Sequence, residues 1–273
     1  MTDYTPFHTD ADWQLLQDEF KRLAQQELLP RFQRVSATEK ADGSLLTAAD
    51  TAMQTATARF LHSTWPQFAF LGEESTAEAQ LQALHSDQGC WILDPLDGTT
   101  NFAHGCPLFA SSLALSIRGE IVLGLVYDPV RDELFSARKG KGAYLNGQPI
   151  HTQTTITTLK QALALVDFKR LPKPIAASLA TDPPYASQRN IGAVVLDWCW
   201  IAAGRGELYA HGGQGLWDYA AGQLILHEAG GASCTLAGEP VANGTLDKRS
   251  ALAASTPILL EPWHTHLTHC ARS

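Results

Sequence analysis

The stretch Trp91-Ile92-Leu93-Asp94-Pro95-Leu96-Asp97-Gly98-Thr99-Thr100-Asn101-Phe102 constrains the fold more than any other. Its apolar start favours a buried strand, which runs straight into a turn crowded with oxygen atoms. Pro95 has no N–H to give to a ladder, so the strand is expected to end there and let Asp94 and Asp97 converge on one point. Gly98 permits the tight turn that follows. Carboxylates without Cys or His beside them favour a hard cation, Mg²⁺ before Zn²⁺. After Gly98, successive backbone N–H groups and the Thr99 hydroxyl can cradle an anion next to that cation. Taken alone, Asp-Pro-x-Asp-Gly is equally a plain turn. The rest of the chain has to decide.

Bulk properties exclude several classes. The chain has 273 residues with 45% hydrophobic and 18% charged content, enough for a large core in about two domains or one large one. A net charge of −8 argues against a nucleic-acid or anionic-membrane surface, so an anionic substrate would need local help of the kind a metal provides. The N-terminus has no basic region or apolar core, and no stretch approaches the ~18 apolar residues of a membrane span, which predicts a cytoplasmic protein. Cys90, Cys106, Cys199, Cys234 and Cys270 are odd in number and widely spaced, as reduced thiols rather than disulfides or a metal knuckle would be. Cys90 and Cys106 flank the acidic turn, so a catalytic thiol is a minor alternative there.

Along the chain, Trp13, Leu16, Phe20, Leu23 and Leu28 predict a helix over 11–33, closed at or just after Pro30. A polar turn at Lys40–Ser44 leads to a second helix through Met53, Phe60 and Leu61 to Trp65, with Thr47 or Asp50 suited to cap it. Phe68–Leu71 reads as a short strand opening into Gly72-Glu73-Glu74-Ser75, the second place where a strand delivers acids to a loop. Residues 111–118, 121–127 and 133–137, then Asn146-Gly147, predict an antiparallel sheet of hairpins over 111–150. Beyond 152 the pattern turns mixed: a strand at 162–166, a proline-rich loop or shortened element over 171–185, a helix over 193–204 and a strand at 207–210. Trp217-Asp218-Tyr219-Ala220-Ala221-Gly222 then begins a helix that ends at Gly230-Gly231. Asp218 falls in its first turn, where the helix dipole favours a carboxylate whatever its function. The boundary between two halves, 1–150 and 151–273, rests on this change of pattern.

Gly72-Glu73-Glu74, the Asp94–Thr100 turn and Trp217–Gly222 together resemble the inositol monophosphatase family of Mg²⁺-dependent, lithium-sensitive phosphatases. The three motifs stand in that family's order, and the resemblance covers nearly the whole chain. It implies a layered α-β-α-β-α sandwich of the sugar-phosphatase type, of mixed α+β and α/β character: an N-terminal half with an antiparallel sheet and most metal ligands, and a C-terminal α/β half with Asp218 and the substrate pocket. It implies two to three Mg²⁺ ions, one on Glu73, Asp94 and the Leu96 carbonyl, a second on Asp94, Asp97 and Asp218, and a third shared by Glu73. Asp50 and Thr99 would orient and deprotonate the attacking water with help from Glu73, while Gly98, Thr99 and Thr100 would hold the phosphate. The substrate would be a small phosphorylated alcohol and the protein a homodimer. In some bacterial relatives the fold also binds RNA polymerase or ribosomal factors, so a regulatory binding protein is the alternative.

Two departures bear on substrate. Gly192-Ala193 lacks the hydroxyl residue that such relatives commonly place after the glycine. His211 stands seven residues before Asp218, where inositol-type members commonly carry a glutamate, and it replaces a fixed acceptor with a group whose donor count depends on pH. The segment 167–192 also looks short, and Lys40–Ser44 resembles the loop of bacterial members. These features predict an enzyme not specialised for inositol 1-phosphate.

Overall fold

The computed structural model describes residues 7, 9–32, 37–39 and 45–271, so the Lys40–Ser44 turn and residues 1–6 lie outside the described residues. Helix α1 (Asp10–Glu27) buries Trp13, Leu16, Phe20 and Leu23. It ends before Pro30, which sits in a separate 3₁₀ turn, Leu29–Arg31. Strands β1 (Ala37–Glu39) and β2 (Leu45–Thr47) form a small antiparallel pair. Helix α2 (Ala48–Thr64) starts from a capping box in which Thr47 and Asp50 both take part.

A seven-stranded sheet follows in chain order: β3 (Ala69–Gly72), β4 (Cys90–Asp97), β5 (Ala110–Ile117), β6 (Glu120–Asp128), β7 (Glu133–Arg138), β8 (Ala143–Leu145) and β9 (Gln148–Ile150). Only β3 and β4 are parallel, joined by α3 (Ala77–Leu84). The short α4 (Thr99–Ala103) leaves the end of β4. Asn146 and Gly147 make the β8–β9 turn, both with positive φ, as the hairpin reading required.

The second sheet has the order β11-β10-β12-β14-β13. Its strands are β10 (Leu163–Val166), β11 (Ser187–Arg189), β12 (Leu208–Gln214), β13 (Ala232–Cys234) and β14 (Arg249–Ala254), linked by α5 (Lys173–Thr181), α6 (Val194–Ala202) and α7 (Leu216–Glu228), with α8 (Pro257–Cys270) last. Of the loop or shortened element expected over 171–185, helix α5 is the second. Pro172 is its N-cap and Pro174 lies in its first turn, where a missing N–H breaks no intrahelical bond, and Pro183-Pro184 follow its end.

The elements stack in five layers, as the resemblance implied. Along β4, Trp91 and Leu93 pack with α1 and α2, whereas Ile92 faces the core shared with α6 and α7. Along β14, Ala251 and Ala253 face that same middle core, and Leu252 and Ala254 pack under α8. Both sheets are therefore buried on both faces, with α6 and α7 between them. Among the described residues no helix is long and apolar enough to cross a membrane. All five cysteines are free, and burial pushes the Cys90 thiol up to about 12, which removes it as a nucleophile at neutral pH.

Helix α7 lies unusually close to β6. A Cβ added at Gly124 would stand 2.8 Å from Ala221 Cα and 2.9 Å from its carbonyl oxygen. Gly124→Ala must therefore displace the helix that carries Asp218, and is expected to lower stability by about 1–3 kcal/mol. A urea midpoint equal to wild type would contradict this.

Candidate active site

β4 does not end at Pro95. It pairs with β5 through Asp97, but the register slips, with Asp94 opposite Ser112 and Asp97 opposite Ala110. Pro95 and Leu96 on β4 oppose the single Ser111 on β5, a bulge that spares the proline a ladder hydrogen bond. Ser111 Oγ holds the bulge by donating to the Pro95 carbonyl at 2.6 Å. The bulge also sets the side-chain directions. Asp94 keeps the parity of Ile92 and faces the middle layer, while Leu96 packs on the α2 side. Strict alternation would put Leu96 on the middle face and Asp97 on the α2 side, and the extra residue exchanges them, returning Asp97 to the face of Asp94.

Asp94, Asp97 and Asp218 converge, with carboxylate oxygens all within 4.8 Å of one another. Each is oriented by backbone N–H groups. Leu96 N–H donates to Asp94 Oδ1 at 3.1 Å, Val195 N–H to Asp97 Oδ2 at 2.7 Å, and Gly215 N–H to Asp218 Oδ2 at 2.7 Å. The last of these closes the capping box of α7. Burial, with added repulsion from the neighbouring acids, holds Asp94 and Asp97 well above the usual carboxylate range and raises Asp218 to about 7. An all-oxygen set of acids pressed together at this cost suits a hard divalent cation, the group the resemblance implies.

Glu73 stands beside this group at the end of β3, its N–H donating to the Leu93 carbonyl at 3.0 Å, and its charge acts on all three aspartates. Thr99 Oγ1 donates to the Leu96 carbonyl at 2.9 Å and lies 3.5 Å from Asp50 Oδ1. Asp50 thus has two faces. Its Oδ2 caps α2 through Thr47 at 2.7 Å, and burial raises its carboxyl despite those bonds. Gly98 has φ +85, and a Cβ there would come 2.8 Å from the Leu108 carbonyl. Its N–H helps hold the Asp97 charge, and Thr99 and Thr100 follow it at the start of α4.

Glu73, Asp94, Leu96, Asp97, Gly98, Thr99, Thr100 and Asp218 line one cavity of about 770 Å³ together with Gly192, Ala193 and His211, and Asp50 lies behind Thr99. His211 is 4% exposed rather than at a solvated strand end. Its Nδ1 accepts from Gly213 N–H at 3.1 Å, which leaves the proton on Nε2, 3.7 Å from Asp167 Oδ2. Burial lowers its pKa to about 4, so it is a fixed single donor at neutral pH rather than a switch.

Several supporting residues escaped the sequence reading. Gln80 Nε2 donates to the Gly72 and Glu73 carbonyls at 2.9 and 3.1 Å, and Gln54 Oε1 accepts from Glu74 N–H at 3.0 Å, fixing the glutamate loop. Asn101 Nδ2 ties Leu108 to Ile191. Asp197 lines the cavity with its carboxyl raised well above the usual range by burial. The one available signal was Gln80, an amide where helical spacing calls for an apolar residue.

Residues 9–272 match the family described as the inositol monophosphatase family. Among curated proteins, the Nus factor SuhB of Pasteurella multocida is 35% identical over 208 residues, 75% of this chain and 76% of that protein. Inositol monophosphatase 1 of Bos taurus is 32% identical over 223 residues, covering 80% and 79%. Among solved structures, the extragenic suppressor protein suhB of Bartonella henselae superposes with a TM-score of 0.81 at 26% identity, over 97% of this chain and 99% of that one.

Proposed function

We propose that this chain, which belongs to the inositol monophosphatase family and is a phosphatase of that family, is a Mg²⁺-dependent phosphomonoesterase acting on a small phosphorylated alcohol. The observation that carries the reading is the convergence of Asp94, Asp97 and Asp218 beside Glu73. Glu73, Asp94 and the Leu96 carbonyl would hold one ion, and Asp94, Asp97 and Asp218 another, with Glu73 available to a third. Bound there, the ions supply Lewis acidity for an activated water and charge neutralisation for the leaving oxygen.

The chain's own groups do the rest. Asp50, its carboxyl raised by burial, takes the water's proton through Thr99, whose hydroxyl stands between it and the Leu96 carbonyl. The Thr99 and Thr100 N–H groups, at the start of α4, orient the phosphate oxygens. Ala193 and His211 form part of the wall against which the alcohol sits. A homodimer belongs to the same proposal, as the resemblance implies. The test is phosphate release, with Mg²⁺ present, across inositol phosphates, sugar phosphates, histidinol phosphate and nucleotide bisphosphates; no release from any of them would overturn it.

Ala193 gives a substrate hydroxyl no partner, and His211 offers only a donor, so inositol 1-phosphate should be matched or exceeded by another phosphomonoester. His211→Gln adds an acceptor without placing a second charge beside Asp167. The ratio of kcat/KM for inositol 1-phosphate to that for glycerol 2-phosphate is expected to rise about fivefold, roughly 1 kcal/mol. An unchanged ratio would remove His211 from the alcohol pocket.

The Pasteurella relative, a Nus factor by name, favours a second role in binding transcription or ribosome-assembly partners. Such a role would use the surface and leaves the convergent acids unexplained, so the phosphatase reading comes first.

A further inference from the structure

Helix α6 starts from Ala193, its N-cap, and Asp197 N–H donates to the Ala193 carbonyl at 3.2 Å. One helical turn apart, the two side chains share a face of α6, and both line the cavity. A helical side chain leans back toward the N-terminus, so the Asp197 carboxyl is turned toward residue 193, whose methyl gives it no donor. Asp197 is 5% exposed, and its Oδ1 has no hydrogen-bond partner. Tyr209 Oη, also buried and without a partner, leaves it unpaired, although Asp197 is the charge that acts most strongly on that hydroxyl. The charges that act on Asp197 itself are those of Asp97 and Asp167. Asp97 belongs to the carboxylate cluster and Asp167 Oδ2 stands 3.7 Å from His211 Nε2, so Asp197 is in electrostatic reach of both.

A buried carboxyl oxygen left without a donor is destabilising, and packing alone would favour an apolar residue at this position of α6. The acid has a use if its donor arrives with the substrate. The reading given above sets phosphorus at the cluster of Asp94, Asp97 and Asp218, and the alcohol against Ala193 and His211. Ala193 offers that alcohol no hydrogen bond, and His211 Nε2 is a donor only. Asp197, between them and the cluster in its electrostatic surroundings, supplies an acceptor. We propose that Asp197 is a specificity-determining residue whose Oδ1 accepts from a hydroxyl on the carbon next to the one that carries the phosphate. Oδ1 can accept whether or not Oδ2 holds a proton, so the role does not depend on titration. A substrate without that hydroxyl leaves Oδ1 unpaired in a cavity it has closed to water, which is how a built polar site rejects a deoxy analogue. The inference rests on the phosphatase reading.

The test compares glycerol 2-phosphate with isopropyl phosphate, which has the same branched carbon skeleton without the two flanking hydroxyls. Phosphate release is measured with Mg²⁺ present for full-length wild type, Asp197→Ala and Asp197→Asn. The ratio of kcat/KM for glycerol 2-phosphate to that for isopropyl phosphate is expected to fall about tenfold in Asp197→Ala. Asp197→Asn keeps an acceptor at Oδ1 and is expected to hold the ratio within about threefold of wild type. The intrinsic reactivity of each ester is the same for all three proteins, and any effect of residue 197 on the carboxylate cluster alters both esters alike, so neither moves the comparison. A ratio unchanged in Asp197→Ala, whether both esters lose activity or neither does, overturns this inference and leaves the phosphatase reading in place. A fall in Asp197→Asn as deep as in Asp197→Ala overturns it too, as does release from other members of the panel above with none from glycerol 2-phosphate. No phosphate release from any compound overturns the phosphatase reading itself and this inference with it.

Discussion

Asp94→Asn is expected to lower kcat/KM by about a thousandfold or more and, in chelator, to raise the melting temperature. The first effect follows from the central place of Asp94, which is 1% exposed and the one acid proposed to touch both ions. Loss of charge there weakens both sites at once, and a thousandfold corresponds to about 4 kcal/mol of transition-state stabilisation. The second follows from what the protein pays without metal. Burial first, then Glu73, Asp97, Asp218 and Asp50, disfavour the Asp94 charge. Asparagine keeps the shape and an oxygen to accept from Leu96 N–H while removing that repulsion. Asp97→Asn should behave alike. A purely structural aspartate would give the reverse pattern, near-normal activity with a lower melting temperature, and that result would sink the metal assignment.

The second large effect concerns pH. Asp94, Asp97 and Asp218 have folded pKa values raised above the unfolded ~3.9, so the metal-free folded state holds protons that the unfolded chain has lost. Their contribution is best below the unfolded value and is lost as pH rises through the folded ones. His211, His227 and His266 are lowered by burial and act in the opposite direction, but that effect is complete above the ordinary histidine value of ~6.5. Burial also raises the Cys90, Cys199 and Cys234 thiols, whose loss sets in only as pH nears the unfolded cysteine value of ~8.5. Between pH 6.5 and 7.5 the decline therefore belongs to the carboxylates. It is expected to reach about 2 kcal/mol in chelator, roughly 5 °C in melting temperature. Mg²⁺ at about a hundred times its dissociation constant restores about 2.7 kcal/mol. A melting temperature flat over this interval in chelator, or indifferent to Mg²⁺, would show that these acids do not form a cation site.

Much of this was legible in the residues because the local signals agreed with the tertiary outcome. Asn146-Gly147 specifies its turn through backbone conformation alone, and it made the hairpin. The order of strands β5 to β9 then followed from short connections. Prolines misled where position in an element mattered more than identity. Pro95 bulges a strand instead of ending it, and Pro174 opens a short helix where the proline-rich pattern had left a loop equally open. Strand β14 was missed because Arg249–Ala254 is largely alanine, a weak strand former, and it is a strand only because β12 and β13 pair on both sides of it. Helix α8 was missed with it, Pro262 lying inside. In the site, the acids could be found by their spacing, but Gln54 and Asn101 could not, and Gln80 gave only the hint of an amide at an apolar position. Their partners are backbone carbonyls and N–H groups brought close only by the fold.

Asp50 and Asp218 occupy the same place in two different helices, the third residue after the cap, and each gives one oxygen to its own helix start. Half of each carboxylate is thus committed to secondary structure, and only the other half is turned to the site, through Thr99 for Asp50 and directly at the cavity for Asp218. Transplanting this arrangement into another scaffold would therefore require copying two helix beginnings and the angle between them. Four well-placed side chains on an arbitrary surface would not reproduce it, because nothing there would stop each carboxylate from rotating away from its equally charged neighbours.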